Sequence, residues 1–141
     1  MLALNLPVSG IIMYLVMFAM IDGLGEFYNN LNMFYMTLMM VAPMGALMLL
    51  MMGSMYANKM LNLAFYAAFA GLFILGTLGT RMQAGIGNEQ FLRSMVPHHS
   101  GAILMCREAS ITDPEIVALC GQIQRSQRQE IDQMKRILAR Y

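Results

Sequence analysis

Charged side chains make up only 12% of this 141-residue chain, and they are nearly missing from its first 80 residues. Lys59 is the one basic residue there, beside two acidic ones, Asp22 and Glu26, while residues 81–141 carry the other eight basic and six acidic residues. With 58% hydrophobic residues overall, this segregation excludes a single soluble domain: the first part reads as lipid-embedded and the second as water-exposed. A net charge of +1 with the two signs interspersed gives no footing for nucleic acid. Cysteine is equally sparse. Cys106 and Cys120 stand alone, with no Cys-x-x-Cys, no haem-attachment motif and no zinc-ribbon spacing. No basic residue precedes the first apolar run and no A-x-A follows it, so that run is expected to stay in the mature protein.

What the chain does have is length in its apolar runs. The expected fold is all-α, with a membrane domain over residues 1–80 made of three transmembrane helices at about 6–21, 33–56 and 61–78. The first, Leu6 to Ile21, carries Pro7 in its first turn and stops at Asp22-Gly23. At 1.5 Å per residue it spans only about 24 Å, short for a hydrocarbon core of about 30 Å. The second, Met33 to Tyr56, contains no charge, and Pro43 should kink it by clashing with the Met39 carbonyl. The third, Leu61 to Leu78, carries small residues at Ala64, Ala67, Ala68 and Gly71, with Gly76 and Gly79 further on, which permits close helix approach in lipid. Placing Lys59 in the cytoplasm puts the N-terminus inside and the C-terminal part outside.

Residues 81–87 form an expected hinge around Gly85-Ile86-Gly87. From Asn88 the pattern turns amphipathic, with Phe91, Leu92, Met95, His99, Ala102, Ile103 and Met105 on the apolar side. A break at 110–114 follows, where Thr112 or Asp113 can cap a second helix that opens with Pro114 and Glu115. That helix should bury Ile116, Leu119, Ile123, Ile131, Met134 and Leu138. Residues 88–141 therefore read as an antiparallel helical hairpin. So small a unit should complete a bundle core by forming a homo-oligomer or by packing on a larger membrane complex.

Methionine is the outlier, at 18 residues. Met95-Val96-Pro97-His98-His99, with Met105 and Cys106 beyond, sets imidazole and thioether donors on one stretch of helix, a pairing that suits copper and above all Cu(I). The bland alternative makes the methionines core fillers and the histidines surface or capping residues. Pro97 should leave a carbonyl unpaired just before the histidines. Gln127, Glu130 and Met134 share a face of the second helix opposite this region, so Glu130 can orient an imidazole, act as a ligand, or simply face solvent. Cys106 and Cys120 flank the turn at similar distances. A disulfide, a soft thiolate ligand and two buried free thiols all remain open. In the second membrane run, seven of nine methionines fall within a sector of roughly 120°, with Met39 and Met52 outside it, and Met13, Met17 and Met20 add a short stripe on the first. Such a stripe either passes Cu(I) or packs adaptably on neighbouring helices.

Met-x-x-His-His-x-x-Ala-Ile-x-Met over Met95 to Met105, then Asp113-Pro114-Glu115, then Gln127-x-x-Glu130-Ile131-x-x-Met134-Lys135, resembles the CopM-like family. That family was long catalogued as a domain of unknown function; its members are ferritin-like helical hairpin domains. The resemblance covers most of residues 88–141. The membrane run, with Met17-Phe18-x-Met20 and Asn32-Met33-Phe34-Tyr35-Met36, looks like the anchor of one branch. It implies copper binding through Met95, His98, His99, Met105 and Met134, with looser roles for Gln127 and Glu130. Cys106 departs from the pattern, where a small residue is usual. It further implies a bacterial inner-membrane location with the C-terminal domain in the periplasm. The expected function is sequestering or handing over Cu(I), without turnover. Two other classes stand beside it. One is an accessory subunit of a larger membrane complex with no metal role. The other is a di-iron ferritin-like enzyme, for which the chain lacks Glu-x-x-His pairs.

Overall fold

The computed structural model describes residues 2–53 and 58–141, so Met55 and the expected end of the second span at Tyr56 lie outside the described residues. Among those described, the chain is all-α: α1 Leu2–Val16, α2 Leu31–Met51, α3 Lys59–Met82, α4 Asn88–Glu108 and α5 Pro114–Leu138, with 3-10 turns at Met17–Met20 and Leu24–Glu26. These elements form two compact units. One holds α1, α2 and α3, and the other joins residues 18–30 to residues 86–141.

In the first unit, α2 (21 residues) and α3 (24 residues) are each long and apolar enough to cross a membrane, with a mean hydropathy of 1.8. The first helix is shorter. It begins at Leu2 rather than Leu6, which puts Pro7 inside the helix instead of in its opening turn, and its α-helical part ends at Val16. Uniformly apolar stretches give a helix no periodic face to mark where it starts, which is why the expected boundaries moved here and at both ends of α3. Large side chains point outward along the unit, as Leu47, Leu50, Leu63 and Leu75 do, each more than half exposed. That suits a hydrocarbon surround and not water.

The α2–α3 contact is close, but not where the run from Ala64 to Gly71 suggests. Those alanines are exposed, and a Cβ built on Gly71 meets nothing within 4 Å. The approach is made further along α3. A Cβ on Gly76 would come within 2.8 Å of the Tyr35 carbonyl oxygen and 2.9 Å of Met39, and one on Gly79 within 2.8 Å of the Tyr35 ring. Met39, one of the two methionines outside the stripe of α2, is thus pressed on α3, while Met36, Met40 and Met51 of the stripe are more than two-fifths exposed. Asn58 caps the start of α3 by accepting from the Leu61 N–H at 3.1 Å. At its end Gln83 takes a left-handed conformation, its amide pairs with Asn32, and the Tyr35 hydroxyl donates to the Ala84 carbonyl at 2.7 Å.

The second unit is the hairpin plus the segment before α2. Asp113 caps α5, accepting from the N–H groups of Glu115 and Ile116 at 2.8 and 3.3 Å, and Pro114 opens the helix as expected. Leu92, Val96, Ile103, Ile131 and Met134 form its core, with Tyr28 from the preceding segment packed against them. Ile116 and Leu119, expected inside, are about half exposed. The reason is coverage: residues 18–30 supply a third layer for part of the hairpin, while Ile116 and Leu119, near the turn, stay open to solvent. There α4 and α5 are joined covalently by a Cys106–Cys120 disulfide, with Cα atoms 5.3 Å apart.

Segment 18–30 is held by ion pairs. Asp22 and Glu26, left without partners by the sequence, are both nearly buried as side chains, at 10% and 5% exposure. Arg128 of α5 bridges them, donating to Asp22 at 2.5 Å and to Glu26 at 2.7 Å. Arg107 also donates to Asp22, Lys135 lies 3.7 Å from Glu26, and the fully buried Ser100 donates its hydroxyl to Glu26 while accepting the Asp22 backbone N–H. A Cβ on Gly101 would stand 3.4 Å from the Met20 carbonyl oxygen, so the segment lies directly on this part of α4.

Two outcomes follow for stability. Gly76→Ala should lose about 1–3 kcal/mol through backbone displacement, whereas Gly71→Ala should be neutral or slightly stabilising, as judged by thermal unfolding in detergent; equal losses would discount the close approach at Gly76. Arg128→Ala removes the cation shared by two nearly buried carboxylates, leaving Asp22 with Arg107 and Glu26 with Lys135 and Ser100, and should cost about 3 kcal/mol. Arg107→Ala, whose side chain is half exposed and shared with Glu108, should cost clearly less. Chemical denaturation of the two variants side by side checks this, and similar losses would mean that Arg128 is not the central cation.

Candidate functional site at the α4–α5 interface

Pro97 sits within α4 and has no N–H to offer the carbonyl of Arg93. The orphaned oxygen is met from segment 18–30: Asn30 donates its amide to it at 3.5 Å, as well as to the Tyr28 carbonyl at 2.9 Å. The kink residue is therefore tolerated because another stretch of the same unit supplies the missing donor.

Two residues on, His99 is buried and has a partner at each ring nitrogen. Nδ1 lies 2.9 Å from the Met95 carbonyl oxygen, one turn back, and Nε2 lies 2.7 Å from Glu130 Oε2 on α5. A carbonyl only accepts, so Nδ1 carries a proton and Nε2 is the atom that faces the opposite helix. A backbone carbonyl at one nitrogen fixes the ring orientation in the manner that prepares the other as a metal ligand. At present Glu130 occupies that direction, and the short Nε2–Glu130 contact requires a second proton shared between imidazole and carboxylate. Glu130 is itself anchored by the Ser126 hydroxyl, which donates to its other oxygen at 2.8 Å. That hydroxyl first, and His99 second, hold the Glu130 carboxyl below the usual glutamate range.

The expected ligands do not all come together. Met95 packs on the core cluster that contains Met134, and His99 and Glu130 meet at the same interface. Gln127, one turn before Glu130, has a buried side-chain oxygen with no hydrogen-bond partner. His98 and Met105, by contrast, are exposed, since residues adjacent on a helix point about 100° apart. The set Met95, His98, His99, Met105 and Met134 thus divides into an inner group and an outer pair. Cys106 and Cys120 are oxidised to a disulfide, so neither offers a thiolate in this state. Among the described residues no three His, Cys, Asp or Glu side chains gather as a metal cluster.

Nothing in the residue pattern marks Ser100, Arg107, Arg128 or Asn30 as parts of this framework. The available signal was the pair Asp22 and Glu26, two charges in an otherwise uncharged stretch, which needed partners somewhere.

Residues 37–138 match the family described as a domain of unknown function (DUF305). An uncharacterized protein of Acanthamoeba polyphaga mimivirus is 34% identical over 119 residues, which covers 83% of this chain and 76% of that protein. No solved structure matches.

The Glu130 shift has a definite sign. A lowered folded value means that the stabilisation is complete above the unfolded value of about 4.3 and is lost as pH falls through the folded one. The carboxyl carbon of Glu130, followed by NMR, should titrate below the ordinary range, and Ser126→Ala should move its midpoint upward. A midpoint at or above the ordinary range would contradict the arrangement.

Proposed function

This chain belongs to the family described as a domain of unknown function (DUF305), and on that premise we propose that it is a membrane-anchored, extracytoplasmic protein that holds or hands over Cu(I) without turnover. The observation that carries the proposal is His99, a buried imidazole oriented by a backbone carbonyl, with its second nitrogen aimed across the hairpin at Glu130, in the same α4–α5 interface whose core holds Met134 with Met95 packed on it. With no carboxylate or imidazole cluster among the described residues, an ion held here draws thioethers into its ligand set, and thioethers select soft ions. The Gln127 oxygen without a partner fits a region that accommodates a further polar or ionic group. Loading replaces the proton between His99 and Glu130, so affinity should fall in acid. Glu130, with a side chain 46% exposed, has room to turn outward.

The location follows the same reading. Residues 18–30 and the hairpin belong to one unit, and the chain leaves and re-enters that unit through α2 and α3, the two helices long enough to span. An even number of crossings returns it to the same side, with Lys59 in the cytoplasm. We place α1 in the bilayer as a third, short span, the hairpin in the periplasm of a bacterial inner membrane, and a second copy against the exposed His98 and Met105. The disulfide accords with an oxidising compartment.

Copper content of the detergent-purified protein, loaded with Cu(I) under reducing conditions, tests the proposal. The wild type should retain copper, His98→Ala with His99→Ala should lose most of it, and His99→Ala alone should remove the inner ion. Unchanged stoichiometry and affinity in the double variant would sink the site and return the lead to the accessory-subunit reading.

A further inference from the structure

The turn end of the hairpin carries chemistry that the Met and His residues do not use. Cys106 lies in the last turn of α4 and Cys120 in the second turn of α5, with Cα atoms 5.3 Å apart and both side chains partly exposed. Their chain neighbours Met105 and Leu119 are each more than half exposed, so the bond is open to reagents from solvent. The disulfide links residues 14 apart in sequence that already face each other from two capped helices. Its reduction therefore leaves two thiols that stay close together.

We infer that the reduced Cys106–Cys120 pair is a separate metal site that takes a monovalent soft ion, Cu(I) or Ag(I), between two thiolates. Sulfur donors select soft metals. The number of donors then narrows the choice. Zinc takes four ligands in a structural site, and among the described residues no further His, Cys, Asp or Glu joins the pair to supply them. A monovalent d10 ion is satisfied by two. At a metal–sulfur distance of about 2.3 Å, a linear arrangement separates the sulfurs by about 4.6 Å. Side chains rooted 5.3 Å apart at Cα reach that separation by rotation about χ1.

The steps balance with a dithiol as reductant. One of its sulfurs attacks the disulfide and breaks the S–S bond, and its second sulfur resolves the mixed disulfide. The dithiol leaves as its own disulfide, and Cys106 and Cys120 receive its two electrons and two protons as thiols. The ion then displaces both protons to solvent and forms two metal–sulfur bonds. Oxidised, the hairpin end is closed by sulfur and takes no ion. Reduced, the ion replaces the disulfide as the cross-link between α4 and α5.

The test uses the full chain in detergent, reduced with a phosphine that is then removed anaerobically, and titrated with Cu(I) in competition with the chromophoric chelator bicinchoninate. The reduced protein should bind one more Cu(I) than the oxidised protein and show a thiolate-to-copper absorption in the ultraviolet. The increment should survive in His98→Ala with His99→Ala and vanish in Cys106→Ser with Cys120→Ser. Should that serine variant lose helix content by circular dichroism, alkylation of the reduced wild type with iodoacetamide serves instead, and it too should abolish the increment. Equal stoichiometry in the two redox states, or an increment that persists after serine substitution or alkylation, overturns the inference. Absence of any histidine-dependent copper in the wild type, with the increment retained, would overturn only the function proposed above.

Discussion

The contact on which the hairpin unit depends is that of Arg128 with Asp22 and Glu26. A carboxylate as nearly buried as Glu26 is costly unless charge and hydrogen bonds compensate it, and here one guanidinium, one ammonium and one hydroxyl do so. Because these partners lie on both α4 and α5, the segment can dock only if the hairpin has formed with its two helices in this register. The dependence also runs the other way. The docked segment brings Tyr28 onto the core and Asn30 onto the carbonyl that Pro97 leaves open. His99 lies two residues beyond Pro97. A network of charges with no direct contact to the ring therefore helps to set where the imidazole stands.

That framework was the part least legible in the sequence. The hairpin helices announced themselves through a helical period, a Pro-Glu start behind Asp113 and a clear break between them, and the structure bears out both. The ion pairs join residues 85 (Asp22 to Arg107) to 109 (Glu26 to Lys135) positions apart, and interactions of that range leave no local trace in composition or spacing. Burial at the turn end was misjudged for a related reason. Ile116 and Leu119 carry the right period, but period records which side of a helix is apolar, not whether anything covers it. In the first unit the apolar runs showed that helices exist and little about where they begin, and the close approach fell at Gly76 and Gly79 rather than in the alanine-rich stretch before them.

The division of the Met and His residues is a consequence of helix geometry that a linear motif conceals. Adjacent histidines on a helix cannot share one inward site without distortion, so His99 goes in and His98 stays out. The inner group is pre-oriented and closed by Glu130; the outer pair, His98 and Met105, seven residues apart on one side of α4, is open. Inner and outer side chains thus stand in different surroundings. The outer thioether and imidazole are open to solvent, whereas the buried imidazole already has a partner at each nitrogen.

The same unit constrains how the chain can thread a membrane. Its two pieces, residues 18–30 and 86–141, are separated in sequence by α2 and α3, yet they share a core and a buried ion network. Nearly buried charges of this kind do not form across a bilayer, so a bilayer crossed by this chain would have both pieces on one side. The intervening helices must therefore cross together or not at all. Their length and hydropathy are enough for each to cross a membrane. Asp22 and Glu26, which in the sequence look like an ordinary acidic loop, are then the residues that tie the segment before α2 to the hairpin.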